Sequence, residues 1–298
     1  MLNTRPQRQP RPENRLPVRT LPPSRRPRIT VRAVVFGIVS VWALLGLFPL
    51  YWLFDTALSS PQAFVSIPPR IVPFPWTWQN FVYLFHSAPI WRWFGNSLFV
   101  STVVTLGNLV FDAMAAYAFS KGRFRGRDTL FWVVLSTMMI PAEATLVPQF
   151  FVMSRLHLLN TYWALILPAL GRVWGVFLLR QYMQTLSTEF FDAARVDGAG
   201  EWTVFWKLVV PLSTPALGAL GLLTFVANWN DFIWPLIALN STQLFTLPVG
   251  LSTLQQQYYT NYGYVLAGGV ITAIPTILIF LLGQRFFVRG LTTGGIKN

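Results

Sequence analysis

The chain has no cysteine among its 298 residues, which excludes disulfides, thiolate metal sites and cysteine nucleophiles together and leaves the redox compartment open. Its only two histidines, His86 and His157, lie far apart and neither has a second imidazole at ligand spacing. A zinc site is therefore not supported, and both read as ordinary loop residues. Charge is scarce too: Lys, Arg, Asp and Glu make up 11% of the chain, against the roughly one quarter that a soluble domain uses to cover its surface. No Gly-x-x-x-x-Gly-Lys-Ser/Thr segment is present, so a nucleotide is not held in that way.

What remains is apolar. Hydrophobic residues make up 53% and aromatics 16%, and the mean hydropathy is +0.48. A net charge of +13 on so apolar a chain argues against a water-soluble nucleic-acid binder. A membrane span needs about 20 apolar residues, and six stretches qualify: 33–54, 97–119, 129–154, 162–183, 215–239 and 265–284. The expected fold is an all-α integral membrane protein, a six-span transmembrane domain over 33–289, because lipid leaves open backbone without a partner. Lys and Arg set its orientation. Residues 1–32 hold nine Arg, and the same side gains Lys121, Arg123, Arg125, Arg127, Arg195, Lys207, Arg285, Arg289 and Lys297; the other side has only Arg70, Arg92 and Arg155. Both termini are expected in the cytoplasm of a cell-membrane protein.

The Arg- and Pro-rich segment 1–32 reads as a disordered basic tail, and 290–298 as a short cytoplasmic tail. A cleaved signal peptide is disfavoured because the apolar run after Arg32 continues to Asp55 without a small-residue cleavage site. Attraction to anionic membrane lipid suits the tail better than nucleic acid, since aromatics are not interleaved with its Arg.

The loop 184–211 differs from the others. Thr188 can cap a helix with Glu189 and Asp192 in its first turn, where carboxylates meet the positive end of the dipole. That helix is expected to end near Gly198, with Gly198 and Gly200 permitting a left-handed turn. A second amphipathic segment presents Trp202, Phe205 and Trp206 before Pro211 opens the next span. Two readings stand: a hairpin that anchors the loop at the membrane face, or one that presents Ala193 and Ala194 as a knob to a cytoplasmic partner.

At these residues the chain resembles the permease subunits of bacterial ABC importers. Their loop carries Glu-Ala-Ala, three residues, Gly, nine residues, Ile, one residue, Leu-Pro. Here Asp192-Ala193-Ala194 is followed at the same separations by Gly198, Leu208, Val210 and Pro211, with Asp for Glu, Leu for Ile and Val for Leu. The resemblance implies that Asp192, Ala193, Ala194, Asp197, Gly198, Leu208 and Pro211 form a coupling loop, between spans four and five, that docks on an ATPase subunit. It extends over 33–298 and looks like the carbohydrate-uptake branch, similar to the second permease of maltose and glycerol-phosphate importers. Ala115-Ala-Tyr-Ala-Phe119, Leu158-Leu-Asn-Thr161 and Trp229-Asn-Asp-Phe-Ile-Trp-Pro-Leu236 match as whole phrases. Implied partners are a second homologous permease, two ATP-binding cassette subunits that hold ATP and Mg, and an extracytoplasmic sugar-binding protein; this chain itself carries no cofactor and is no enzyme.

Ionisable residues at membrane depth are expensive and mark candidate pathways. Asp112, Glu143, Arg172 and Asp231 are the four. Glu143 and Arg172 lie at similar depth and could pair, for packing or along a pathway. Asn228, Trp229, Asn230 and Asp231 combine amides, a carboxylate and an aromatic face, the chemistry of a sugar site, but they serve equally as glue between helices. A proton relay through Asp112, Glu143 and Asp231, as in a secondary transporter, is the rival mechanism; a permease for another small solute is the rival within the family.

Overall fold

Long apolar runs with few charges fold as helices in lipid because every backbone group must be satisfied within the segment. The structure, a computed structural model, describes residues 29–60, 72, 75–257 and 262–294, with only the backbone described at 29–31, 255–257, 262 and 285–294. The rest of the basic tail, Lys297 and the last four residues lie outside the described residues. Among the described residues all regular structure is helical. The described residues up to 49 and those from 50 onward form separate units.

Helix α1 (Ile29–Ala57) begins four residues before the expected span. Its side chains from 32 to 49 are all exposed, as suits a helix that is apolar all round. In the larger unit follow α2 (Gln79–Ser87), α3 (Ile90–Lys121), α4 (Arg127–Ser136), α5 (Ala142–Arg155), α6 (Tyr162–Ala169), α7 (Val173–Gln184), α8 (Thr188–Val196), α9 (Glu201–Val204), α10 (Val210–Leu212), α11 (Thr214–Trp229), α12 (Ile233–Ala238), α13 (Leu247–Gln257) and α14 (Tyr262–Gly294). His86 thus ends a helix and is not a loop residue; His157 does sit in a turn, at φ 55°. The 32-residue α3 is the axis, packed along α7 and α11, while α11 packs on α14 and α14 on α2.

Among the described residues four helices are long and apolar enough to cross a membrane: Arg32–Ala57, Ile90–Lys121, Tyr162–Gln184 and Gly263–Gln284. The count rises to six if each of two bent pairs is one span. The expected third span is one of these, bent by 99° between α4 and α5, where Pro141 precedes α5 and lacks the N–H that would continue the ladder. The expected fifth span, 215–239, is not one helix: α11 stops at Trp229 and α12 restarts at Ile233. A 78° bend precedes α11, between Pro211 and Pro215. Tyr162–Gln184 is itself interrupted at 170–172, where Gly171 takes φ +70°.

Candidate functional site

The segment after α7 folds as a hairpin of two short helices. Ser187, not Thr188, caps α8: its hydroxyl oxygen accepts from the Glu189 N–H at 3.3 Å. Asp197, Gly198 and Ala199 then close the helix, with Gly198 at φ +81° donating to Arg195 O and Ala199 donating to Ala194 O. This six-to-one and five-to-two pairing is the Schellman stop, and it needs the left-handed residue that glycine supplies without strain. Gly200 does not share that role. Its φ of −69° is ordinary, and it serves as the N-cap of α9. Phe205–Val209 form a π-helical turn, a widening that fits the missing N–H of Pro211 just beyond.

The hairpin has two unlike faces. Phe191, Val204 and Phe205 are buried against α3, α7 and α11 in one cluster with Tyr117, Leu179 and Met183. Asp192, Ala193, Asp197 and Gly198 point outward, beside the exposed Phe190, Val196 and Trp202. Polar contacts join the hairpin to α3 and its two limbs to each other. Tyr117 of α3 donates to Glu201 Oε2 at 2.7 Å, and Lys121 donates to Leu186 O at 2.7 Å. Glu201 Oε1 also meets Arg195 Nε at 3.0 Å, and Asp192 meets Arg195 and Arg123 at 3.4 Å each. The Glu201 hydrogen bond holds the Arg195 guanidinium above its usual pKa. Arg123 and Asp192 are 78% and 50% exposed, so that pair contributes at most about 1 kcal/mol. Burying Phe191 is worth about 2 kcal/mol, so aromatic packing fixes the hairpin and the polar contacts orient it.

At the other candidate region three helix interruptions meet at one cavity of about 640 Å³. Ala142 and Glu143 open α5, Ala169 ends α6 and Arg172 precedes α7, and Asn230 to Trp234 span the break before α12; all of them line it. The middle break is held from outside. Asn108 of α3, fully buried, donates to Ala169 O at 2.9 Å and accepts from the Gly171 N–H at 2.7 Å, replacing ladder bonds that the break forfeits. One turn further along α3, Asp112 is fully buried with its carboxylate against Gly175 in the first turn of α7.

The proposed pathway residues divide. Glu143, Arg172, Asn230 and Asp231 share the cavity, and Arg172 reaches Asn228 Oδ1 at 3.3 Å. Glu143 and Arg172 make no ion pair: among the described residues every pair within 4 Å lies around the hairpin and the start of α4. Trp229 stands apart from them. It is fully buried, stacked on Phe225 at 6.0 Å and edge-on to Phe94 at 5.2 Å, with its Nε1 donating to Thr272 O. An indole with no exposed surface and its nitrogen bonded inside the protein offers no ring face to the cavity. Leu208 is half-buried beside the hairpin cluster and Pro211 is exposed. Periodicity alone missed Asn108, Tyr117, Glu201 and Arg180, the last donating to Phe119 O with its guanidinium 3.8 Å from the Phe131 ring centroid. No group of metal-binding side chains occurs among the described residues.

Regular structure that is all helical among the described residues, with four helices of membrane length and two bent pairs besides, is that of a multi-pass membrane protein. Residues 113–292 match the binding-protein-dependent transport system inner membrane component family. The chain belongs to that family. It is 44% identical over 223 residues to the arabinooligosaccharides transport system permease protein of Halalkalibacterium halodurans, covering 74% of this chain and 80% of that protein. It is 34% identical over 259 residues to the sn-glycerol-3-phosphate transport system permease protein of Yersinia enterocolitica, covering 84% and 92%. Among solved structures it matches a chain of a bacterial ABC transporter involved in the import of the acidic polysaccharide alginate, with TM-score 0.78, 26% identity, and coverage of 89% of this chain and all of that one.

Proposed function

We propose that this chain is a permease subunit of a sugar-importing ABC transporter, with six spans and both termini in the cytoplasm, whose hairpin docks on a separate ATPase. The observation that carries the reading is the two-faced hairpin: Asp192, Ala193 and Gly198 turn outward while Phe191 and Phe205 are packed against α3, α7 and α11. A partner pressing on the outer face therefore acts on three helices at once. A second homologous permease would complete the translocation path, an extracytoplasmic binding protein would deliver the sugar, and two ATP-binding cassette subunits would hold ATP and Mg. The arabinooligosaccharide permease among the relatives, and the likeness to a transporter involved in alginate import, support the solute class.

Closure of the ATPase pair around ATP would move the hairpins together, and the spans would rock as rigid bodies between inward-open and outward-open states. The breaks in α6–α7 and α11–α12 are where helices can pivot without losing whole ladders, since Asn108 keeps the backbone satisfied at one of them. The cavity with Glu143, Arg172, Asn230 and Asp231 is this chain's share of the pathway, its mixed donors and acceptors suited to hydroxyl-rich solutes.

Ala193→Arg tests the docking. In proteoliposomes holding the whole transporter, this variant is expected to lose the ATPase on purification and to abolish ATP-driven uptake. Normal assembly and uptake would show the hairpin to be only an anchor.

A further inference from the structure

The outward face of the hairpin explains what is pushed but not how the push reaches the pathway. Apolar packing around Phe191 resists compression, yet it is non-directional and lets surfaces slide. Directional links between α3 and the hairpin are made by Lys121 to Leu186 O and by Tyr117 to Glu201, and among the described residues the one through Glu201 is the one that reaches both limbs. Glu201 is bonded through one carboxylate oxygen to Arg195 of α8 and through the other to the hydroxyl of Tyr117 on α3. It therefore ties both limbs of the hairpin to a single point on a neighbouring helix. Tyr117 is itself almost fully buried, with its ring near those of Phe191 and Phe205, so its hydroxyl is fixed in place. From Tyr117 the same unbroken helix runs back to Asn108, nine residues or about 14 Å along the axis. Asn108 in turn holds the two backbone groups at the break that opens onto the cavity.

We propose that Tyr117 and Glu201 are positioning residues that transmit movement of the hairpin along α3 to the broken α6–α7 segment. The proposal rests on the docking reading above. Neither residue touches the solute or the nucleotide; their work is to make α3 follow the hairpin without slip. Slip would let ATP be hydrolysed without a matching change at the cavity.

The measurement is sugar taken up per ATP hydrolysed, in proteoliposomes containing the complete transporter and its binding protein. Tyr117→Phe keeps the ring and its packing and removes only the hydroxyl. It is expected to lower the ratio several-fold, with the ATPase still co-purifying and the melting temperature down by no more than the few degrees that one lost hydrogen bond to the half-exposed Glu201 costs. Glu201→Gln keeps an oxygen for the Tyr117 hydroxyl and is expected to retain more of the ratio than Tyr117→Phe. An unchanged ratio in Tyr117→Phe overturns the proposal. So does a loss of assembly or of melting temperature with the ratio intact, which would make the bond merely structural. Ala193→Arg, measured in parallel, reports separately on docking: if it still binds the ATPase, the docking reading fails whatever the Tyr117 variant does.

Discussion

At the hairpin the charged groups meet in pairs: Asp192, Arg195, Glu201 and Arg123 lie 3.0 to 3.4 Å from one another's partners. At the cavity Glu143, Arg172 and Asp231 line a common space without an ion pair. The hairpin lies over a closed apolar cluster, so its polar groups must satisfy each other or face water. The cavity groups stand around open volume, where their partners can be water or a solute. A surface that must transmit force is pre-paired and rigid. On the proposed reading, the surface that binds and releases keeps its charges out of ion pairs, although Arg172 and Asn230 are held by Asn228 Oδ1 and Val226 O.

Substitutions at each region should separate these two behaviours. The largest effect is expected at the brace between them. Asn108→Ala leaves Ala169 O and Gly171 N–H without partners, at about 1–3 kcal/mol for each buried group, and should lower the melting temperature of the purified protein sharply; an unchanged melting curve would mean that the break needs no brace. Next, Gly175→Ala places a methyl group against the Asp112 carboxylate, an overpacking cost of about 1–3 kcal/mol that thermal unfolding in detergent would register. Trp229→Phe and Asn230→Ala form a contrasting pair. The first loses the bond to Thr272 O and should cost about 1–2 kcal/mol of stability with the half-saturating solute concentration unmoved; the second should shift that concentration with little change in stability. If the Trp229 variant also alters solute affinity, the division between packing and pathway is wrong. The smallest effect belongs to Gly198→Ala, about 1 kcal/mol for a left-handed residue, read as a modest drop in ATPase co-purification rather than in melting temperature.

Much of the hairpin was legible because its signals are local. Gly198 at the end of an amphipathic turn predicts a left-handed stop, and φ +81° is found there. The cap slipped by one residue, from Thr188 to Ser187, because two adjacent hydroxyl residues offer the same chemistry and only the backbone direction decides. The cavity was half legible. Ionisable residues at membrane depth identify Glu143, Arg172 and Asp231, since burial cost alone flags them. That Trp229 packs inward is a tertiary fact: Phe225 is one turn away, but Phe94 and Thr272 are brought to it by other helices. Asn108 was silent for the same reason, because one amide in a long apolar helix carries no sign of the break 61 residues later that it serves.

The brace also has an order in time. Synthesis delivers residue 108 well before residue 171, and chains enter their final surroundings N-terminal elements first. When the interrupted α6–α7 segment reaches the bilayer, the amide that satisfies its exposed carbonyl and N–H is already waiting in α3. The kinked segment can thus insert beside a finished template instead of carrying two bare polar groups into lipid, and a circularly permuted chain that made α3 last would lose that advantage during assembly.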